Sequence, residues 1–262
     1  MKQKIIKWTI RLACTFFIAF LTIVLAVLNP GVLYANKTAV SHYTVYHQKT
    51  LNPGLQSHLE EAHKLVRESE IYDPRFKIKV CLNDGSLYPK LMEKLMGRAF
   101  GWGGYNLAVY GGEFNYVGGY VEINNHRWDM TQLLVHELTH CHQMNYFGLL
   151  NSNPVANHPT WKWEGYAEYV ARKGEDQQDL ITNMTRYKKS VSEDENAWSV
   201  VFPDGTVAPR DYYRYWLMVQ YCLDVKGITY PDLIQQQISA EELNEEMESW
   251  YVRHYHVEFC IE

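Results

Sequence analysis

No CxxC pair occurs among the five cysteines, which excludes a zinc knuckle built on closely paired thiolates. No basic stripe follows the N-terminal segment. The formal charge of the 262 residues is −5, and once Lys2, Lys4, Lys7 and Arg11 are set aside the rest of the chain sums to −9. Neutralising phosphates needs clustered cations, so a nucleic-acid partner is excluded. Internal repeats and low-complexity tracts are also missing, and with them the solenoid and linker-rich architectures. Long apolar runs are confined to the N-terminus.

That one run covers residues 12–28, LACTFFIAFLTIVLAVL, without a charge, and apolar character extends back through Ile5, Ile6, Trp8 and Ile10. It is long enough to span a bilayer. The basic residues before it, and the absence of Lys or Arg until Lys37, predict a cytoplasmic N-terminus (residues 1–11) and a domain across the membrane. A cleaved signal peptide has the same polarity. Leu33-Tyr34-Ala35 puts a large residue where a cleavage site prefers a small one, which favours an uncleaved anchor; with cleavage the domain is secreted. Export suits disulfides, and Cys81, Cys141, Cys222 and Cys260 permit three pairings, but isolated buried thiols fit equally well.

What remains is rich in apolar and aromatic residues: 47% of the chain is hydrophobic, with 20 Tyr and 8 Trp. This supports one full core, with aromatic rings filling it and lining grooves. Asn29-Pro30-Gly31 ends the apolar helix, and residues 29–52 read as a polar connector ahead of a domain at 53–262. Helical spacing covers residues 55–70, strand alternation covers 76–82, and a short helix is predicted at 88–95. Between Gly101 and Asn125, glycine pairs at 103–104, 111–112 and 118–119 predict strands joined by tight turns. The chemistry is therefore preceded by a small mixed sheet.

Residues 136–140 read His-Glu-Leu-Thr-His within a predicted helix from Met130 to Phe147, opened by a capping box of Asp129 with Gln132. Positions i and i+4 share a helical face, so His136 and His140 can direct two imidazoles at one zinc ion. Glu137 sits one step round, where it can take a proton from the attacking water and return it to the leaving amine. Two nitrogens are too few; a catalytic site needs a third protein ligand and an open position. Downstream, Trp161-Lys-Trp-Glu-Gly-Tyr-Ala-Glu-Tyr169 forms a second predicted helix, with Pro159 in its first turn and Gly174 beyond its end. Glu164 and Glu168 share one of its faces. A carboxylate ligand and, one turn on, a carboxylate that accepts the free N–H of a ligating His are the roles this spacing suggests. Gly165 and Ala167 are small enough to let the helix lie close to the first.

These two segments, His136-Glu137-Leu138-Thr139-His140 and Trp163-Glu164-Gly165-Tyr166-Ala167-Glu168-Tyr169, resemble the gluzincin zinc metallopeptidases, the group of thermolysin and the zinc aminopeptidases, and look most like the small peptidase MA-like domains. The resemblance covers residues 76–230. It implies Glu164 as third ligand, with 23 residues between it and His140, one Zn2+ per chain, and hydrolysis of peptide or protein substrates. It also implies an α+β fold in which the small mixed sheet precedes a helical zinc-binding lobe. The metzincin pattern fails, with Gln143 where Gly and Tyr146 where a third His would stand. The family's oxyanion-donating Tyr fits Tyr212 best, with Tyr213 and Tyr215 as alternatives and a structural role for all three equally open.

Around these residues, His142 should point about 200° away from the ion, onto the surface. His158 reads as a helix-start or substrate-side group rather than a ligand. Glu122 reads as a solvated strand position, and the stretch 113–123 as the edge strand that pairs with extended substrate. Asn36-Lys-Thr38 and Asn183-Met-Thr185 match the glycosylation pattern. Two other functions fit the same residues: a membrane-tethered sensor or binding domain without turnover, and a scaffold with structural zinc.

Overall fold

The computed structural model describes residues 2–174, 177 and 179–258. The first helix, α1 (Lys2–Leu28), stops at Asn29-Pro30 because proline cannot continue the hydrogen-bond ladder. Its stretch Ile6–Leu28, 23 residues, is long and apolar enough to cross a membrane, a character that a signal sequence shares. The helix is thus longer than the predicted residues 12–28, its apolar character persisting across Lys7 and Arg11.

Residues 29–52 are not a structureless connector. They carry a hairpin of β1 (Asn36–Val40) and β2 (Tyr43–His47), turned at Ser41 with φ 54°. In β2 the buried Tyr43, Val45 and His47 alternate with half-buried residues, whereas β1 buries only Val40. A strand that covers a neighbour with polar side chains has no hydrophobic signature of its own. Next come α2 (Gly54–Arg67), β3 (Lys79–Cys81), α3 (Leu87–Met96), β4 (Gly101–Gly104) and β5 (Leu107–Tyr110). The strands form a five-stranded mixed sheet in the order β1-β2-β3-β5-β4, parallel at β2–β3 and β3–β5 and antiparallel at both ends. Alternation sorts its faces. Val45, Val80, Ala108 and Tyr110 join the main core, and Cys81, Leu107 and Val109 join a smaller cluster with Tyr88 and Met92 of α3.

A separate antiparallel sheet follows, built from β6 (Glu113–Asn115), β7 (Tyr120–Ile123) and β8 (His126–Asp129). Asn124 and Asn125, with φ 52° and 63°, make the tight turn between β7 and β8. Gly103 and Gly104 lie inside β4 rather than in a turn, and the chain reverses at Tyr105, φ 49°. Strand β4, not the stretch 113–123, is the edge beside the metal-motif helix. Glu122 faces Arg127 across β7–β8 in a 3.0 Å ion pair at the surface, as a solvated position should.

Strand β8 runs directly into α4 (Met130–Phe147), and a helical lobe completes the chain: α5 (Thr160–Ala171), α6 (Leu180–Glu193), α7 (Arg210–Gln220), α8 (Tyr230–Gln235) and α9 (Ala240–Glu258), with a hairpin of β9 (Ser199–Val201) and β10 (Val207–Pro209). The architecture is α+β. Helix α5 begins just after Pro159, whose carbonyl accepts from the Lys162 amide at 2.9 Å. Gly165 does not bring α5 against α4. A Cβ there would lie 2.5 Å from the Tyr215 carbonyl oxygen, so the glycine permits close contact with α7 instead. One residue past Glu164 is about 100° round the helix, which puts the glycine on a different side from the carboxylate.

Cys81, Cys141 and Cys222 are buried free thiols and Cys14 is an exposed one; Cys260 lies outside the described residues. Asn183 is fully buried and donates to the Gln177 carbonyl at 2.7 Å, so the folded chain does not offer it for glycosylation. Asn36 is exposed.

Candidate metal centre

Helix α4 is held at its start by Asp129, whose Oδ1 accepts from the Gln132 amide at 2.8 Å. The reciprocal half of the expected capping box is missing: the Gln132 side chain turns instead to Arg172, accepting from Nη1 at 2.8 Å, and to Gln177. From this start, His136 and His140 lie one turn apart on a buried face, 3% and 7% exposed, with their rings edge to face. Helix α5 crosses them and brings Glu164 to the same point. The three approach one another closely: His136 Nε2 to His140 Nε2 is 3.1 Å, and Glu164 Oε2 lies 3.3 Å from the first and 3.2 Å from the second. These residues form a cluster that could hold a metal ion.

The other ring nitrogens decide which atoms face the cluster. Gln143 donates its amide to the Trp163 carbonyl at 2.9 Å and to the Tyr230 hydroxyl at 2.6 Å, which leaves Oε1 turned to His140 Nδ1 at 2.7 Å. That oxygen accepts, so Nδ1 carries the proton and Nε2 presents its lone pair to the cluster. At His136, Nδ1 lies 2.9 Å from Glu168 Oε1, off the ideal line for a hydrogen bond but on the same side of the ring logic. Glu168 in turn accepts from Arg172 Nε at 2.6 Å, and both side chains are fully buried. Tyr212 stacks on His136 with ring centroids 5.8 Å apart, and Trp163 stacks on His140 at 6.3 Å. The imidazoles therefore have little freedom to turn away.

Three converging acceptors call for a cation. Ligands at tetrahedral angles around an ion with bonds of about 2.0–2.1 Å stand about 3.3 Å apart, the separation this cluster already has. The electrostatics agree. Burial opposes charge on His136, yet Glu164 and Glu168 outweigh it and lift its pKa to about 10. Burial likewise opposes charge on Glu164, but His140 and His136 hold it well below the usual carboxylate range. Burial would raise Glu168 too, and Arg172, then His136, keep it ionised.

Glu137 projects beside the cluster rather than into it. Burial raises its pKa, while the two imidazoles and the backbone of Gly103 pull the other way. Strand β4 lies directly on this part of α4. A Cβ at Gly101 would lie 2.6 Å from Glu137 Oε1, and one at Gly103 would collide with the Glu137 carbonyl oxygen. The second clash is with backbone and cannot be relieved by a rotamer change. Gly103→Ala is therefore expected to cost about 1–3 kcal/mol by overpacking, and at roughly 2–4 °C of Tm per kcal/mol thermal unfolding should reveal it. An unchanged Tm would mean that β4 yields freely.

The cluster opens into a cavity of ≈690 Å³ bounded by β4, by Phe100 and Trp128, and by Tyr212 at the start of α7. Tyr212 alone of the three candidate tyrosines lines it. Tyr213 is fully buried with its hydroxyl on the Asn183 carbonyl at 3.3 Å, and Tyr215 lines a different depression beside α9. Burial, followed by the nearby Glu164 and Glu137, keeps the Tyr212 phenol protonated. His142 points away from the cluster but is not at the surface. It is 2% exposed, packs on Tyr72 and Phe76, and burial drops its pKa to about 4. The face of α4 opposite the cluster is covered by other elements, which spacing along one helix cannot reveal. His158 donates from Nε2 to the Asn151 carbonyl, 2.9 Å away, and stacks on Trp163, so it braces the wall and stands outside the cluster.

The sequence reading missed Gln143, Arg172, Gly101 and Gly103. Spacing offered a signal for the first two, since Gln143 is three residues past His140 and Arg172 four past Glu168. The glycines left none. Comparison with protein-family models, with characterised proteins and with solved structures returns no match. The class is thus defined by the molecule's own fold and site: an α+β chain carrying an apolar N-terminal helix and a His/His/Glu cluster at the floor of a cleft.

Proposed function

We propose that the chain is a zinc-dependent peptidase of the gluzincin type, anchored by α1, with His136, His140 and Glu164 as ligands of one zinc ion. The observation that carries this reading is the convergence of His136 Nε2, His140 Nε2 and Glu164 Oε2 within 3.1–3.3 Å beside the carboxylate of Glu137 in an open cleft. Two imidazoles and one carboxylate are the donor set of catalytic rather than structural zinc. Bound there, zinc supplies a Lewis acid that makes a water nucleophilic near neutral pH and polarises the scissile carbonyl.

The chain's own groups do the rest. Glu137, its pKa raised chiefly by burial, accepts the proton of the attacking water and delivers it to the leaving amine. The protonated Tyr212 phenol, stacked over His136 at the cleft wall, donates to the oxyanion, a contribution of about 3 kcal/mol for a well-placed donor. Glu168 and Arg172 hold the His136 ring, and Gln143 holds that of His140. The free edge of β4 receives an extended peptide by strand addition, which orients the bond to be cut.

Full-length chain in bilayers, offered a mixed peptide library, should cleave it, lose the activity to a chelator and regain it with one equivalent of zinc per chain. Zinc binding without turnover would leave a binding or sensor domain. Unfolding on chelation would make the ion structural.

A further inference from the structure

Helix α3 shows a face that no part of the described chain covers. Tyr88, Pro89 and Met92 are buried, while Leu87 and Leu95 are 63% and 48% exposed and Leu91 is half-buried between them. Spaced at i, i+4 and i+8, these three leucines form one stripe along the helix. On its outer side the stripe is bordered by the exposed Lys90 and Lys94. On its inner side it borders Tyr88, and Tyr88 makes the connection to α1: its hydroxyl donates to the Val27 carbonyl at 2.6 Å. Val27 and Leu33 pack on the same small cluster as Tyr88 and Met92. Val27 is one residue from the end of the apolar stretch Ile6–Leu28. The leucine stripe is thus tied within a side chain's length of the point where that stretch ends.

We propose that α3 lies in the surface of an anionic bilayer, with Leu87, Leu91 and Leu95 in the headgroup–acyl boundary and Lys90 and Lys94 on lipid phosphates. This rests on the reading of α1 as a membrane span. An apolar stripe flanked by lysines is the pattern of interfacial helices, and here the span itself supplies the membrane beside it. A helix of 10 residues would bind weakly alone; tethered by Tyr88 to the end of α1 it meets the bilayer at so high an effective concentration that a weak affinity suffices. The consequence concerns the cleft. Met96, the last residue of α3, and Ala99 and Phe100 just beyond it form part of the cleft wall. Docking of α3 therefore sets the mouth of the cleft at the membrane surface, where it meets polypeptides that emerge from or lie on the bilayer.

The test uses full-length chain with Cys14 and Cys260 changed to Ser, carrying an environment-sensitive fluorophore on Leu95→Cys, on Phe20→Cys within α1, or on Val117→Cys, a fully exposed site in the β6–β7 loop. Each is reconstituted into phosphatidylcholine–phosphatidylglycerol vesicles containing nitroxide-labelled lipid. The labels at positions 20 and 95 should be blue-shifted and quenched and the label at 117 should not be. The quenching at 95 should fall in the Lys90→Glu/Lys94→Glu background. Quenching at 20 with none at 95 overturns the docking of α3 and leaves the span intact. A label at 95 that is blue-shifted but unquenched means that protein, a second copy of the chain, covers the stripe, and this too overturns it. A label at 20 that reports water removes the span, and the proposal with it.

Discussion

Glu137→Gln should leave the chain folded and its metal bound while peptide hydrolysis falls by about 100- to 10 000-fold, the range expected when a general base is lost. The amide keeps the shape that Gly101 and Gly103 of β4 pack against, so the wall of the cleft should be undisturbed. What it loses is basicity. Burial raises the Glu137 pKa above the ordinary carboxylate value, and an amide does not titrate at all. Initial rates with zinc content measured in parallel decide the matter. Near-normal turnover would remove Glu137 as base, and loss of zinc would mean that it is a ligand.

The second large effect separates Glu164 from Glu168. Glu164 meets both imidazoles at 3.2–3.3 Å, so Glu164→Ala should abolish tight zinc binding beyond what added zinc can restore. Glu168 touches only Nδ1 of His136, on the far side of the ring, and Glu168→Gln should weaken zinc binding by about 10- to 100-fold, with recovery in excess zinc. Gln is the informative replacement. Glu168→Gln and Glu168→Ala both remove the charge opposite the fully buried Arg172, but Gln keeps the side-chain shape and an oxygen that accepts from Arg172 Nε, whereas Ala removes the acceptor as well and would confuse metal loss with unfolding. Elemental analysis beside thermal unfolding keeps the two apart. A Glu168→Gln chain empty at all zinc concentrations, with Glu164→Ala still loaded, would exchange the two roles.

Much of the candidate site was legible because helices are local. Four residues along one helix bring His136 over His140, and Glu164 over Glu168, whatever the rest of the chain does. The Asp129 cap was readable for the same reason. The readings that failed each depended on a partner from elsewhere. His142 turned correctly away from the ligands, yet what buries it is Tyr72 and Phe76 beyond the end of α2. Gly165 promised a close approach, but to which helix only α7 could say. Strand β1, exposed at every position but Val40, is a strand because β2 pairs with it.

By itself the sequence determined the apolar N-terminal helix, the α+β class, the pairing of ligand-type residues on two helices and the position of Glu137 between them, since each follows from composition or from spacing within one element. Only the tertiary structure decided that α4 and α5 meet with His136, His140 and Glu164 together, that Tyr212 rather than Tyr213 or Tyr215 lines the cleft, and that the edge strand beside Glu137 is β4. Those outcomes depend on packing between elements far apart in the chain. At β4 the contact is made by glycines, which have no side chain to announce it and are needed there because a Cβ at Gly103 would strike the backbone of α4 and one at Gly101 the side chain of Glu137.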